Sequence, residues 1–147
     1  MEKILSDCIF CKIVKNEIFC YKVYEDDLVL AFLDINPLNI GHTLVIPKQH
    51  SNDALNMSDE LNGQVFRVCK RVALSLKRLG LDICSGVNIY SAIGSDAGQV
   101  IFHTHFHVVP RFQGDNFVFT KDSNIELSGD EFLNLSKKIS QNIEDFS

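Results

Sequence analysis

Long apolar runs are missing from this chain, and so is any excess of positive charge. Met1 to Ile13 has no sustained hydrophobic segment and is broken by Glu2, Lys3, Asp7 and Lys12, which argues against a signal peptide or membrane span. A formal net charge of -5 argues against broad nucleic-acid or anionic-membrane surfaces, so any anionic ligand is expected to be small. Internal repeats, low-complexity tracts and Pro-rich linkers are also absent. A length of 147 residues with 46% hydrophobic content fits one compact domain over 1–147. The five cysteines are odd in number and too sparse for a secreted disulfide framework, which suits a reducing compartment and makes the cytoplasm the expected location.

Three of the five histidines, His103, His105 and His107, recur at two-residue spacing within the run from Gln99 to Arg111. Side chains of a strand alternate between faces, so an extended run would line up the three imidazoles on one face and place Phe102, Thr104, Phe106 and Val108 on the other. One face is then free for chemistry while the other packs. A neutral imidazole is a nucleophile near neutral pH, which makes the central His105 the first candidate for attack on an electrophile.

Around this run the sequence reads as a mixture of strands and helices. Tyr21 to Glu25 and Leu28 to Asp34 read as strands joined by an acidic turn, with Thr43 to Ile46 and Gly86 to Ser91 as further β-rich runs. Turn formers from Asn36 to Gly41 precede His42, which is expected at a strand entrance with an accessible side chain. Ser58 is a candidate N-cap for a helix reaching about Leu79, with Leu61, Val65, Val68, Val72, Leu76 and Leu79 on one face and Gly80 as the stop. Its other side is basic and reads as a solvated face. Ser128 to Glu131 matches a capping box ahead of Phe132, Leu135, Ile139 and Ile143, predicting a C-terminal helix. Gln113 to Asn124 is expected to be a loop containing a short strand. These elements predict an α+β fold with a mainly antiparallel sheet of about five strands, one long helix and a C-terminal helix.

Cys8 and Cys11 form a C-x-x-C pair, a spacing that can bring two thiolates to one zinc ion but also suits a pair of free thiols. No thioredoxin-like βαβ context follows to support a redox role.

His103-Thr-His105-Phe-His107-Val-Val resembles the signature of the histidine triad, or HIT, family of nucleotide hydrolases and transferases. The ordered elements Cys8-Ile-Phe-Cys11-Lys-Ile, Phe32-Leu-Asp34-Ile-Asn-Pro37, Gly41-His42-Thr-Leu-Val-Ile-Pro47 and Ala97-Gly98-Gln99 extend the likeness to the Hint-like branch, of the zinc-containing bacterial type. The resemblance covers roughly residues 6–112 and leaves a C-terminal extension, 113–147, unassigned.

The resemblance implies a HIT-like fold and attack by His105 on the α-phosphorus of a purine nucleotide, through a covalent nucleotidyl-histidine. His107, His42 and His103 complete the catalytic set, with His107 on a phosphate oxygen about 6.8 Å along the strand. Asp34 is implied as the acceptor of the ribose hydroxyls. Ile9, Phe10, Ile13, Phe32, Ile35 and Leu44 match apolar positions around the base, with Gln99, Val100 and Ile101 near the phosphate. A structural zinc ion on Cys8, Cys11, His50 and His103, and a homodimer, are also implied. Purine nucleoside phosphoramidates are the favoured substrates, with aminoacyl adenylates and dinucleoside polyphosphates as further classes.

Two positions depart from the pattern. Val100 stands where Ser or Thr is usual, and Ala92 where a phosphate-contacting Asn is common, so phosphate handling is expected to differ. This leaves room for a nucleotide-binding sensor with little turnover. A zinc-dependent metallohydrolase, with an H-x-H pair joined by Asp34 or His42, is the third reading.

Overall fold

The computed structural model describes residues 5–117 and 125–144. Two compact units divide the chain, 1–117 and 118–147. The first holds a five-stranded antiparallel sheet in the order β1-β2-β3-β5-β4, built from β1 (Lys22–Glu25), β2 (Val29–Leu33), β3 (Thr43–Pro47), β4 (Gly86–Tyr90) and β5 (Phe106–Arg111). With its helices, this is the α+β architecture expected from the sequence.

Strand alternation gives the sheet two separate jobs. Val29 and Ala31 of β2, Val45 of β3 and Val108 of β5 face a core completed by Val65, Val68, Cys69, Val72 and Leu76 of α2 (Asp59–Lys77). The intervening residues Leu30, Phe32, Leu44 and Ile46 form a second cluster with Phe10 and Ile13 of α1 (Ile9–Val14). Register aligns Phe32 with Leu44 and Leu44 with His107 across three neighbouring strands. His107 therefore stands on the α1 face, and α2 is the buttress behind it.

The helix begins where expected, for the Ser58 hydroxyl accepts a hydrogen bond from the Leu61 amide at 3.1 Å. Its end is local too, with Gly80 at a φ of 110° just beyond the final turn. Gly41 meets a double demand: its φ is 97°, and an added Cβ would lie 2.9 Å from Leu76 Cδ2. That close approach seats the turn before His42 against α2.

The sequence did not predict α1. Cys8 caps it, its sulfur accepting from the Cys11 amide at 3.4 Å, so the C-x-x-C spacing serves as a helix start.

A second difference concerns the histidine run, which is strand only from Phe106 onward. Ahead of that point Ser51 and Pro47 capture the chain. The Thr104 amide donates to the Ser51 carbonyl at 2.7 Å, and His103 Nε2 donates to the Pro47 carbonyl at 2.8 Å. These bonds draw residues 103–105 off the ladder, so the three imidazoles do not share one strand face.

In the second unit, α3 (Gly129–Glu144) opens with the predicted reciprocal box: Glu131 N donates to Ser128 Oγ at 3.2 Å and Ser128 N to Glu131 Oε1 at 3.3 Å. Of the expected loop with a short strand, residues 113–117 are turn and bend, and the remainder lies outside the described residues. No helix among the described residues is long and apolar enough to cross a membrane.

Candidate active site

A cavity of about 490 Å³ opens on the α1 face of the sheet. Ile9, Phe10 and Ile13 of α1, Phe32 of β2 and Leu44 of β3 form an apolar wall, while Asp34, His105 and His107 bring the polar groups. Ile35, Val100 and Ile101 complete the positions anticipated from the sequence. Gln99 is the exception. Its side chain is buried, with Nε2 donating to the Asn52 and Ile101 carbonyls and Oε1 accepting from Gly94 N. It braces the loop and does not line the cavity. Ile18, Phe19, Cys20, Leu33, Asn36 and Gly98 also line it and were not anticipated, although the apolar triplet Ile18-Phe19-Cys20 ahead of β1 was a readable signal.

Hydrogen bonding to the backbone sets the tautomers of His105 and His42, and His42 sets that of His107. His105 Nδ1 donates to the His103 carbonyl at 2.7 Å, which leaves Nε2 as the ring nitrogen with a lone pair. His42 Nδ1 accepts from the Leu38 amide at 3.1 Å, so its proton resides on Nε2, 2.9 Å from His107 Nδ1. That bond in turn makes His107 Nδ1 an acceptor and puts its proton on Nε2. The result is one lone pair, on His105, beside one N–H donor, on His107, with ring centroids 5.1 Å apart.

His42 is almost fully buried, contrary to the accessible position expected. The turn that precedes it folds back, its Leu38 amide bonds the ring, and β5 covers the other edge. Asp34 Oδ2 lies 3.7 Å from His42 Nε2, and its Oδ1 accepts from the Asn36 amide at 2.8 Å.

Burial lowers the pKa of all the site imidazoles, because a desolvated ring resists charge. Desolvation and then the neighbouring His105 and His42 hold His107 down to about 4, against a partial pull upward from Asp34. His105 and His42 are lowered mainly by burial, with Asp34 opposing in both. Neutral imidazoles are therefore the resting forms.

The ring of His103 is elsewhere. It is fully buried beside Cys8, Cys11 and His50, and only its carbonyl reaches toward the cavity, through His105. Cys8 Sγ is 3.4 Å and Cys11 Sγ 3.6 Å from His103 Nδ1, and Cys11 Sγ is 3.4 Å from His50 Nδ1. Two ligands of a tetrahedral zinc ion, one sulfur and one nitrogen, would be about 3.6 Å apart. The outer nitrogens are also engaged: His103 Nε2 with Pro47 O at 2.8 Å and His50 Nε2 with Asn52 Oδ1 at 3.3 Å. Both Nδ1 lone pairs thus face the thiols, and the donor set fits such an ion.

Residues 15–114 match the family model of the HIT domain. An uncharacterized HIT-like protein of Borreliella burgdorferi is 58% identical over 139 residues, covering 95% of this chain and 100% of that protein. An adenosine 5'-monophosphoramidase of Schizosaccharomyces pombe is 36% identical over 137 residues, covering 93% of this chain and 98% of its own length. Among solved structures, a Streptococcus mutans protein aligns with a TM-score of 0.89 at 39% identity, covering 97% of this chain and 89% of the other. A zinc-bound histidine triad family protein from Mycobacterium smegmatis aligns with a TM-score of 0.71 at 35% identity, covering 92% and 97%. The ordered histidines, the five-stranded sheet beside them and relatives matched over nearly their full length lead to one conclusion: this chain belongs to the HIT family.

Proposed function

We propose that the protein is a nucleotide hydrolase or transferase acting at the α-phosphate of purine nucleoside phosphoramidates. The observation that carries this reading is the hydrogen bond from His105 Nδ1 to the His103 carbonyl, which directs the opposite nitrogen's lone pair at the cavity. Attack by Nε2 forms a phosphorus–nitrogen bond, and the phosphorus–amine bond breaks with its electron pair on the departing nitrogen, which takes up a proton from solvent and leaves as the free amine. The imidazole keeps its Nδ1 proton on the His103 carbonyl as positive charge develops. Water then displaces His105 and releases a nucleoside monophosphate.

His107 Nε2–H is the donor for a non-bridging phosphate oxygen, and His42 holds that proton in place from behind. Asp34 at the cavity wall accepts the ribose hydroxyls, and the aromatic edges of Phe10 and Phe32, with centroids 5.6 Å apart, flank the base. The phosphoramidase activity named for the fission-yeast relative supports this choice of substrate class.

Zinc on Cys8, Cys11, His50 and His103 is the proposed metal centre, supported by the donor geometry and by the zinc-bound mycobacterial structure. Its role is structural. Four protein ligands close the coordination sphere, and the ion would pin α1, with the base wall, to the segment carrying His105. A zinc hydrolase built on Asp34, His42 and His107 is disfavoured, because the Leu38 amide occupies His42 Nδ1 and keeps a proton on the Nε2 such a metal would need. Cytoplasmic residence, supported by five free cysteines, is part of the same proposal. So is a homodimer, supported by the edge position of β4 and the exposed Phe66 and Leu74 of α2.

His105→Ala is the direct test. Loss of more than about a thousandfold in adenosine 5'-phosphoramidate turnover, with AMP binding retained and a nucleotidyl adduct trapped only on the wild type, is the expected outcome. Equal turnover by the two proteins refutes it.

A further inference from the structure

His107 must hold its Nε2–H on a phosphate oxygen, yet the hydrogen bond from His42 constrains only one edge of the ring. Such bonds remain serviceable through tilts of about 30°, which would carry the far ring nitrogen about 1 Å from its aim. Something else has to set the plane. Tyr90, the last residue of β4, pairs directly with His107 in the sheet register. Its phenol ring stacks on the imidazole with centroids 4.5 Å apart and planes 12° from parallel. His105 meets the imidazole at 65°, with centroids 5.1 Å apart. The His107 ring is therefore restrained by a broad face, an edge and an in-plane hydrogen bond.

We infer that Tyr90 is the positioning residue for His107, its flat ring holding the imidazole plane so that Nε2–H stays aimed at the phosphate during displacement. This rests on the nucleotidyl-transfer reading given above. Stacking requires a flat ring and makes no use of the hydroxyl, so the aromatic face is the functional part. A side chain that fills the same space without a flat face would pack against β5 but let the imidazole tilt.

Three proteins decide the matter: wild type, Tyr90→Phe and Tyr90→Leu. For each, kcat and KM are measured with adenosine 5'-phosphoramidate, AMP affinity by titration, and the His107 ring tautomer by long-range proton–nitrogen NMR of the free protein. Tyr90→Phe is expected to stay within about twofold of wild type throughout. Tyr90→Leu is expected to lose about tenfold in kcat, with KM and AMP affinity changed by about twofold or less. Its His107 nitrogens should move toward averaged shifts, while Tyr90→Phe keeps the protonated-Nε2 pattern.

A leucine variant with wild-type kcat and unchanged His107 shifts overturns the inference, as does a phenylalanine variant impaired as much as leucine. If leucine prevents folding, Tyr90→Met supplies the non-planar side chain for the same comparison. Should the wild type fail to turn over the phosphoramidate, the reaction assignment falls by itself. The nitrogen shifts then still decide whether Tyr90 holds the ring.

Discussion

The carbonyl of His103 accepts the Nδ1 proton of His105 at 2.7 Å, while the ring of the same His103 turns its own Nδ1 toward Cys8 and Cys11. One residue thereby joins the proposed nucleophile to the proposed metal centre. Phe10 strengthens the link from the other side: its ring meets His103 with centroids 5.8 Å apart and His105 with centroids 5.2 Å apart, and it also lines the cavity. The proposed metal centre and the cavity therefore share a common wall.

Metal removal should be felt in both places. Protein purified without added zinc is expected to carry about one equivalent, and chelation or Cys8→Ser should lower the melting temperature by several degrees, roughly. AMP affinity should fall as well, by about tenfold, because α1 loses its anchor. Elemental analysis, melting curves and AMP titration check this; zinc near zero in the purified protein, or AMP affinity indifferent to chelation, contradicts it.

Asp34 is expected to read the sugar. Asp34→Asn should weaken AMP binding by about tenfold, the cost of degrading a charge-assisted hydrogen bond, while leaving 2',3'-dideoxy-AMP bound as tightly as by the wild type. Titration of both nucleotides into both proteins measures the difference, and an equal loss for both would remove Asp34 from the ribose site.

The lowered pKa of His107 has a defined sign. A ring whose folded pKa is about 4 takes up no proton between pH 6.5 and that value, whereas the unfolded chain does. This imidazole's contribution to stability is therefore complete above pH 6.5 and is lost as pH falls toward 4. His42 is shifted in the same direction by burial. The His107 ring should remain neutral in NMR titrations at pH 6, where an ordinary histidine is mostly charged, His42 should titrate below the ordinary range, and kcat/KM should begin to fall only at a lower pH than an ordinary histidine would dictate. A midpoint near 6.5 for His107 would contradict the buried, hydrogen-bonded arrangement.

Ala92 and Val100 test whether this chain is a weak catalyst. Val100 is 83% exposed at the cavity rim, where its side chain offers no hydrogen bond to a phosphate. Ala92→Asn combined with Val100→Ser is expected to raise kcat/KM for the phosphoramidate by about threefold to thirtyfold by restoring polar contacts. Wild-type turnover already at the double variant's level would show that backbone amides suffice. Tight AMP binding with negligible wild-type turnover would favour a sensor.

Much of this arrangement was legible because it is periodic. The apolar face of α2, the alternating strands β2 and β3 and the Ser128 capping box each follow from a spacing of two, three or four residues. Eleven of the twelve residues expected around the nucleotide do line the cavity, since the family's ordered motifs carried them. What escaped depends on partners far away in the chain. Gln99 is claimed by the Asn52 carbonyl and His103 by that of Pro47, separations of 47 and 56 residues that no local pattern reveals. The His103 bond, with that of the Thr104 amide to the Ser51 carbonyl, cut the strand short and gave the three histidines separate duties. The burial of His42 was hidden for a related reason, because it depends on how the preceding turn folds back.

The division of labour across the sheet has a practical consequence for redesign. Leu44 and Ile46 belong to the ligand side of β3, and Val45 between them belongs to the buttress against α2. Varying Phe32 and Leu44 would therefore remodel the cavity wall from the sheet side, whereas varying Val29, Ala31 and Val45, one position away on the same strands, would disturb the packing against α2 and leave the cavity lining in place.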